Sequence, residues 1–97
     1  MAHDFRIAYK DDAAYFCGYS NGIMYHVFRA EKHDAGVSGD NGREKVTVRE
    51  AKQALSKAIT YFDKIGYPDS KRMDAIKAFR SRLDKYPDND LCEIWYG

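Results

Sequence analysis

The sequence predicts an α+β fold in which a two-helix antiparallel hairpin covers one face of a small antiparallel β-sheet. Three patterns indicate it: period-two alternation near the N-terminus, apolar residues at helical spacing in the middle, and alternation again near the C-terminus. The N-terminal strands and one C-terminal strand would form the sheet, in the order β-β-β-α-α-β. A chain of 97 residues has room for one hydrophobic core, so residues 1–97 are predicted to form a single domain.

Strands are predicted within residues 1–30. Apolar and polar residues alternate over residues 5–9, as they do in a strand with one buried face. Two aromatic-rich runs within residues 14–29 then flank Asn21-Gly22. Asn-Gly between such runs favours a two-residue hairpin turn, because that turn needs positive φ at both central positions. We therefore predict a second hairpin here.

A flexible, glycine-rich loop is predicted over residues 31–46. The segment is polar and has no sustained apolar periodicity. Its glycines are not followed by the Gly-Lys-Ser/Thr of a phosphate-binding loop, and its acidic residues lack the spacing of a calcium loop. The segment therefore reads as a connector.

An amphipathic helix is predicted over residues 47–65. Thr47 and Glu50 have the spacing of a capping box, and the apolar residues that follow fall on one stripe at 100° per residue. A second helix is predicted over residues 69–86, and the short connection indicates an antiparallel pair. Alternation over residues 91–96 predicts the last strand.

Charge, hydropathy and cysteine content exclude several classes of protein. The 16 Lys and Arg against 15 Asp and Glu give a net charge of +1, unlike the strongly basic balance of a dedicated duplex binder. No apolar run approaches the roughly 18 residues of a membrane span, and no signal peptide is visible. Cys17 and Cys92 are too few for a disulfide framework and lack zinc-site spacing. We expect a cytoplasmic protein with no cofactor, no metal and no membrane partner, and leave open whether the cysteines are bonded.

Both faces of the predicted hairpin at Asn21-Gly22 are largely apolar, and the helices can bury only one of them. The other face would then be covered by the chain's own loop or tail, or it would bind a partner through residue types enriched at interface cores. The predicted partner-binding residues are Tyr15, Tyr19, Met24, His26 and Phe28, with Arg6 and Arg29 beside them. The leading prediction is a protein–protein interaction module, such as an inhibitor or a regulator, that is not an enzyme. Its partner would be another protein or a second copy of itself.

Two alternative functions use the same strands. In the first, Tyr side chains on the sheet, with Arg6, Lys10 and Arg29, bind single-stranded nucleic acid by stacking and charge neutralisation. No RNP-like signature supports that reading. In the second, Cys17 lies opposite His26 across the predicted hairpin, an arrangement that activates nucleophilic thiols in small Cys-His enzymes.

Overall fold

The computed structural model describes residues 3–18, 21–29, 42–66 and 70–97. The described elements are β1 (His3–Tyr9), β2 (Asp12–Gly18), α1 (Asn21–Val27), β3 (Gly42–Thr47), α2 (Val48–Ile65), α3 (Ser70–Leu83) and β4 (Leu91–Tyr96). The strands form one antiparallel sheet in the order β2-β1-β4-β3. The predicted α+β class, with an antiparallel sheet and two long helices, is confirmed.

The two central strands of the sheet, β1 and β4, come from opposite ends of the chain. They pair with Phe5 opposite Tyr96, and Asp4 and Gly97 exchange backbone hydrogen bonds of 2.9 Å. The hydroxyl of Tyr25 in α1 donates to the carbonyl oxygens of both Asp4 and Gly97, at 3.1 and 3.3 Å. The centre of the sheet is therefore held by contacts between residues far apart in sequence.

The three helices of the described segments pack on one face of this sheet. Phe5, Ile7 and Ile94 from the central strands are fully buried beneath them. The helical side of the core consists of Met24, Tyr25, Phe28, Val48, Ala51, Ala54, Leu55, Ala58, Phe62, Ile76, Phe79 and Leu83. Because side chains alternate along a strand, the intervening strand residues point to the opposite side of the sheet.

The predicted hairpin at Asn21-Gly22 is wrong, because residues 21–27 form α1. Met24, Tyr25 and Phe28 are buried, a spacing that places them on one helical face. A short apolar run fits both a strand and a helix, and here packing decides for the helix. The ring of Tyr25 packs edge-on against that of Tyr96, with centroids 5.0 Å apart.

The hairpin in this part of the chain lies earlier, between β1 and β2. Tyr9 pairs with Asp12 across a two-residue turn at Lys10 and Asp11, and Lys10 has a φ of 51°. The N-terminal region therefore supplies two strands and a short helix instead of three strands.

The predicted loop over residues 31–46 is also wrong at its C-terminal end. Residues 42–47 form β3, which pairs with β4, whereas residues 30–41 lie outside the described part of the chain. Charged residues are typical of edge strands, where they oppose pairing with other chains. Because β3 is rich in them, it lacks the apolar alternation by which a strand is recognised in a sequence.

The capping box predicted at the start of the long helix is present. The amide of Glu50 donates to Thr47 Oγ1 at 3.1 Å, and the amide of Thr47 donates to Glu50 Oε1 at 3.4 Å. In the part of the chain that the structure describes, no helix combines the length and the apolar character needed to cross a membrane.

Candidate functional site

The sheet surface opposite the helices, here called the open face, is formed by the strand residues that alternate with those of the core, together with Lys10 of the β1–β2 turn. Its members are Asp4, Arg6, Ala8, Lys10, Ala13, Tyr15, Arg43, Lys45, Leu91, Glu93 and Trp95. Tyr15 is 60% exposed and Leu91 is 54% exposed, although both are large side chains. These fractions show that the open face is accessible to a ligand.

Four residues of the open face form a row across the sheet, here called the Arg–aromatic row. Arg6 in β1 lies opposite Tyr15 of β2 on one side and opposite Trp95 of β4 on the other. Arg43 in β3 lies opposite Trp95. Neighbouring strands are about 4.8 Å apart, so the row is roughly 14 Å long. Aromatic and guanidinium groups therefore alternate across the sheet.

Trp95 is the centre of this row. The Arg6 Cζ atom lies 4.4 Å from the Trp95 ring centroid, and the Arg43 Cζ atom lies 5.8 Å from it. Cation–π contacts at exposed sites contribute about 0.5–1 kcal/mol each, which favours these positions of the two guanidinium groups. Trp95 is itself partly buried.

The open face is more basic than the chain as a whole. Its charged side chains are four cations, Arg6, Lys10, Arg43 and Lys45, and two anions, Asp4 and Glu93. The Lys45 ammonium lies 3.9 Å from a Glu93 carboxylate oxygen, and both side chains are at least half exposed. Exposed ion pairs are weak, so Lys45 and Glu93 stay available to a ligand.

A groove of about 350 Å³ lies beside Trp95 on the open face. It is lined by Ala8, Lys10, Lys45, Leu91, Glu93 and Trp95, and we call it the Glu93 groove. Its volume is at the lower end of the range for small-molecule sites. Glu93 supplies the acidic side chain of this lining, with an aromatic ring and two ammonium groups around it.

The predicted partner-binding residues do not form one surface. Arg6 and Tyr15 are neighbours on the open face. Met24 and Phe28 instead belong to the buried core, at 0% and 8% exposure. Tyr19 lies outside the described residues.

The remaining two predicted residues lie on the helical side of the molecule. His26 is exposed on α1, with its ring edge-on to that of Tyr61 in α2. Arg29 follows α1 with a φ of 56° and lines a cavity with Glu50 and Gln53 of α2. The prediction placed His26 and Arg29 on the sheet because it assigned residues 21–27 to a strand, whereas they form α1.

The Cys-His alternative also depended on that hairpin. Cys17 lies opposite Asp4 in the sheet, whereas His26 lies in α1. The side chain of Cys17 is outside the described part of the structure. Cys92 is a buried free cysteine, and burial raises the pKa of its thiol to about 11, which disfavours the nucleophilic thiolate at neutral pH. Among the described residues, no His, Cys, Asp and Glu side chains cluster in a group of three that could hold a metal ion.

Sequence reasoning missed Trp95 and Arg43. The alternation in the last strand contains a signal for Trp95, because Ile94 and Tyr96 are buried and Trp95 between them must point the other way. Arg43 has no such signal, because its strand is polar and its position depends on pairing with β4.

A polar cluster separate from the open face lies near the β1–β2 turn. The rings of Tyr9 and Tyr86 stack with centroids 4.0 Å apart, and their hydroxyls donate to Asp90 and Asp12, respectively. Arg82 Nε also donates to the Asp12 carboxylate, at 3.0 Å. The hydrogen bond to Asp90 raises the pKa of Tyr9 to about 12, and the bond to Asp12 raises the pKa of Tyr86. These phenols are poorly suited to acid–base chemistry at neutral pH, and the cluster joins separate segments of the fold.

Comparisons with protein-family models, with curated proteins and with solved structures find no match. The function is therefore inferred from the residues of the open face and their geometry.

Proposed function

We propose that this protein binds single-stranded nucleic acid on its open face. The observation that carries the proposal is the Arg–aromatic row, which presents alternating rings and guanidinium groups across all four strands. Unpaired bases stack on aromatic rings and on guanidinium planes, and basic side chains attract the phosphates between them. The row offers both kinds of contact on a single sheet surface.

The charge of the open face favours a nucleic acid over a protein partner. Lysine is depleted in protein–protein interfaces, whereas Lys10 and Lys45 flank the Glu93 groove. Met24 and Phe28, on which the predicted protein interface depended, are in the core. An acidic protein and a second copy of the chain are the competing partners.

The aromatic rings of the Arg–aromatic row favour a single strand over a duplex. In a duplex the faces of the bases are stacked on one another, so Tyr15 and Trp95 would have no base to stack on. Duplex binding without base stacking depends mainly on phosphate contacts, and the chain carries a net charge of only +1. A single strand uses both the rings and the cations of the open face.

The test measures the binding of fluorescently labelled, mixed-sequence single strands by anisotropy over a range of salt concentrations. Replacing Trp95 by alanine removes a stacking platform, so we expect about 5- to 150-fold weaker binding, the equivalent of about 1–3 kcal/mol. Arg6→Ala removes a phosphate or base contact. If that contact is to phosphate, the slope of log affinity against log salt falls by about 0.7.

Two variants on the helical side serve as matched controls. Tyr61→Ala removes a ring that is 45% exposed on α2, and Arg49→Ala removes an exposed arginine of the same helix. Both variants should bind as the wild type does. The proposal is wrong if the wild type shows no binding at low salt, or if these controls lose as much affinity as the Trp95 and Arg6 variants.

A further inference from the structure

We infer that Glu93, together with Lys45, makes the open face selective for cytosine and adenine over uracil and thymine. This inference rests on the proposed function and concerns the base that stacks beside Trp95. Glu93 and Trp95 are two residues apart in β4 and line the same groove. Their Cα atoms are about 6.7 Å apart along the strand. A base that stacks beside Trp95, against the Arg6 guanidinium that lies over its ring, can therefore turn its edge toward the Glu93 carboxylate.

The carboxylate of Glu93 needs an explanation at a site for a polyanion. A negative charge on the open face repels every phosphate, so it lowers the affinity for all strands alike. A hydrogen bond from a base to the carboxylate offsets that cost for some bases only. Glutamate and aspartate accept hydrogen bonds from the exocyclic amino group of cytosine, so the residue type fits base recognition.

Lys45 completes the pattern. Its ammonium lies 3.9 Å from Glu93 Oε1, which places a hydrogen-bond donor beside an acceptor at the groove wall. Cytosine and adenine each present an amino group next to a ring nitrogen. The amino group can donate to Glu93, and the ring nitrogen can accept from Lys45. Uracil and thymine present a carbonyl oxygen next to an N–H, the reverse order. The C4 carbonyl of uracil or thymine would therefore face the carboxylate.

Exposure limits the size of the effect. The Glu93 and Lys45 side chains are 50% and 63% exposed, so water competes for their hydrogen bonds. A well-formed bidentate contact in a groove discriminates by about 1–3 kcal/mol, and a water-accessible pair belongs at the lower end of that range. We expect the wild-type protein to bind oligodeoxycytidine roughly 5- to 10-fold more tightly than oligodeoxyuridine of the same length.

The test compares these two homopolymers at neutral pH and one salt concentration, for the wild type and for Glu93→Gln. Glutamine nearly matches glutamate in size but both donates and accepts, so the ratio of the two affinities should fall toward one. The affinity for oligodeoxyuridine should rise in this variant, because a negative charge that no hydrogen bond from uracil offsets has been removed. Asp74→Asn removes the same charge from an exposed position on α3 and should leave the ratio at its wild-type value.

The outcomes separate the two proposals. If the wild type binds neither homopolymer at low salt, the proposed function itself fails. If it binds both equally, or if Glu93→Gln keeps the wild-type ratio, base selection by Glu93 is wrong and single-strand binding stands. A circular-dichroism melt of each variant establishes that the compared proteins are folded.

Discussion

The hydroxyl of Tyr9 shows how one polar group can join distant parts of this chain. Tyr9 lies at the end of β1, and its hydroxyl donates to Asp90, which immediately precedes β4. Its ring stacks on that of Tyr86, which follows α3. The hydrogen bond to Asp90 exists only while the phenol keeps its proton, so it raises the pKa of Tyr9 to about 12 from the ordinary value of 10, and desolvation and the Asp90 charge act in the same direction.

The raised pKa predicts how stability depends on alkaline pH. The contribution of Tyr9 is fully present below pH 10, where the phenol is protonated in both states, and it is lost as the pH rises toward about 12. Tyr9→Phe should therefore lower the free energy of unfolding at neutral pH and reduce its fall across that alkaline range. Urea unfolding of both proteins at a series of pH values measures the difference.

Tyr61→Phe is the control for this prediction, because Tyr61 is exposed on α2 and its ring packs against His26. It should follow the wild-type pH dependence. Equal alkaline slopes for the wild type and Tyr9→Phe would show that the hydrogen bond to Asp90 does not carry the effect.

At the scale of elements, local signals predicted α2 but neither α1 nor β3. The capping box of Thr47 and Glu50 and the apolar stripe of α2 are patterns within the helix itself, so they can be recognised from the sequence. The run that forms α1 suits a strand by residue type and becomes a helix through its contacts with Phe5 and Tyr96. β3 is polar, and its pairing with β4 is a long-range contact.

The same distinction explains the candidate site. Tyr15 was predicted as a binding residue on one face of the hairpin at Asn21-Gly22, with Arg6 beside it. That hairpin is wrong, and the two residues are neighbours for another reason, the pairing of β1 with β2. The complete Arg–aromatic row also requires β4 to lie between β1 and β3. Strand order of this kind comes from tertiary packing and is invisible to periodicity.

Arg29 provides a test of the corrected element assignment. It follows α1 with a φ of 56°, a left-handed conformation that glycine adopts without a Cβ penalty. Arg29→Gly should therefore raise the free energy of unfolding by about 0.5–1 kcal/mol, measured by urea titration. Because Arg29 lies on the helical side, its loss should leave binding to single strands unchanged.

Arg29→Ala serves as the control, since alanine removes the same charge and keeps the Cβ atom. It should show no gain in stability. A stabilisation equal to that of Arg29→Gly would point to the charge and away from the backbone conformation.

At the scale of the whole molecule, β4 connects the two halves of the sheet. One edge of β4 pairs with β1 and the other with β3, and its buried residues join the single cluster that also contains the helices. A substitution that destabilises β4 should therefore lower the protection of backbone amides in both halves of the sheet.

Two substitutions in β4 test this view. Ile94 is fully buried and Leu91 is 54% exposed. Ile94→Ala should cost about 2–5 kcal/mol, whereas Leu91→Ala should change stability by no more than about 0.5 kcal/mol. Amide hydrogen exchange should show that Ile94→Ala lowers protection in β1 and β3 alike. Loss of protection confined to one of these strands would contradict the connecting role of β4.

The central position of β4 also has a consequence for how the protein is made. Residues 91–96 leave the ribosome after every other described element, yet β1 and β3 have no contact in the sheet without them. While translation proceeds, the nascent chain carries the apolar face of β1 and that of α2 without the strand that completes their core. A ribosome that stalls before Leu91 would hold a chain with uncovered apolar surface, the kind of species that chaperones and proteases recognise.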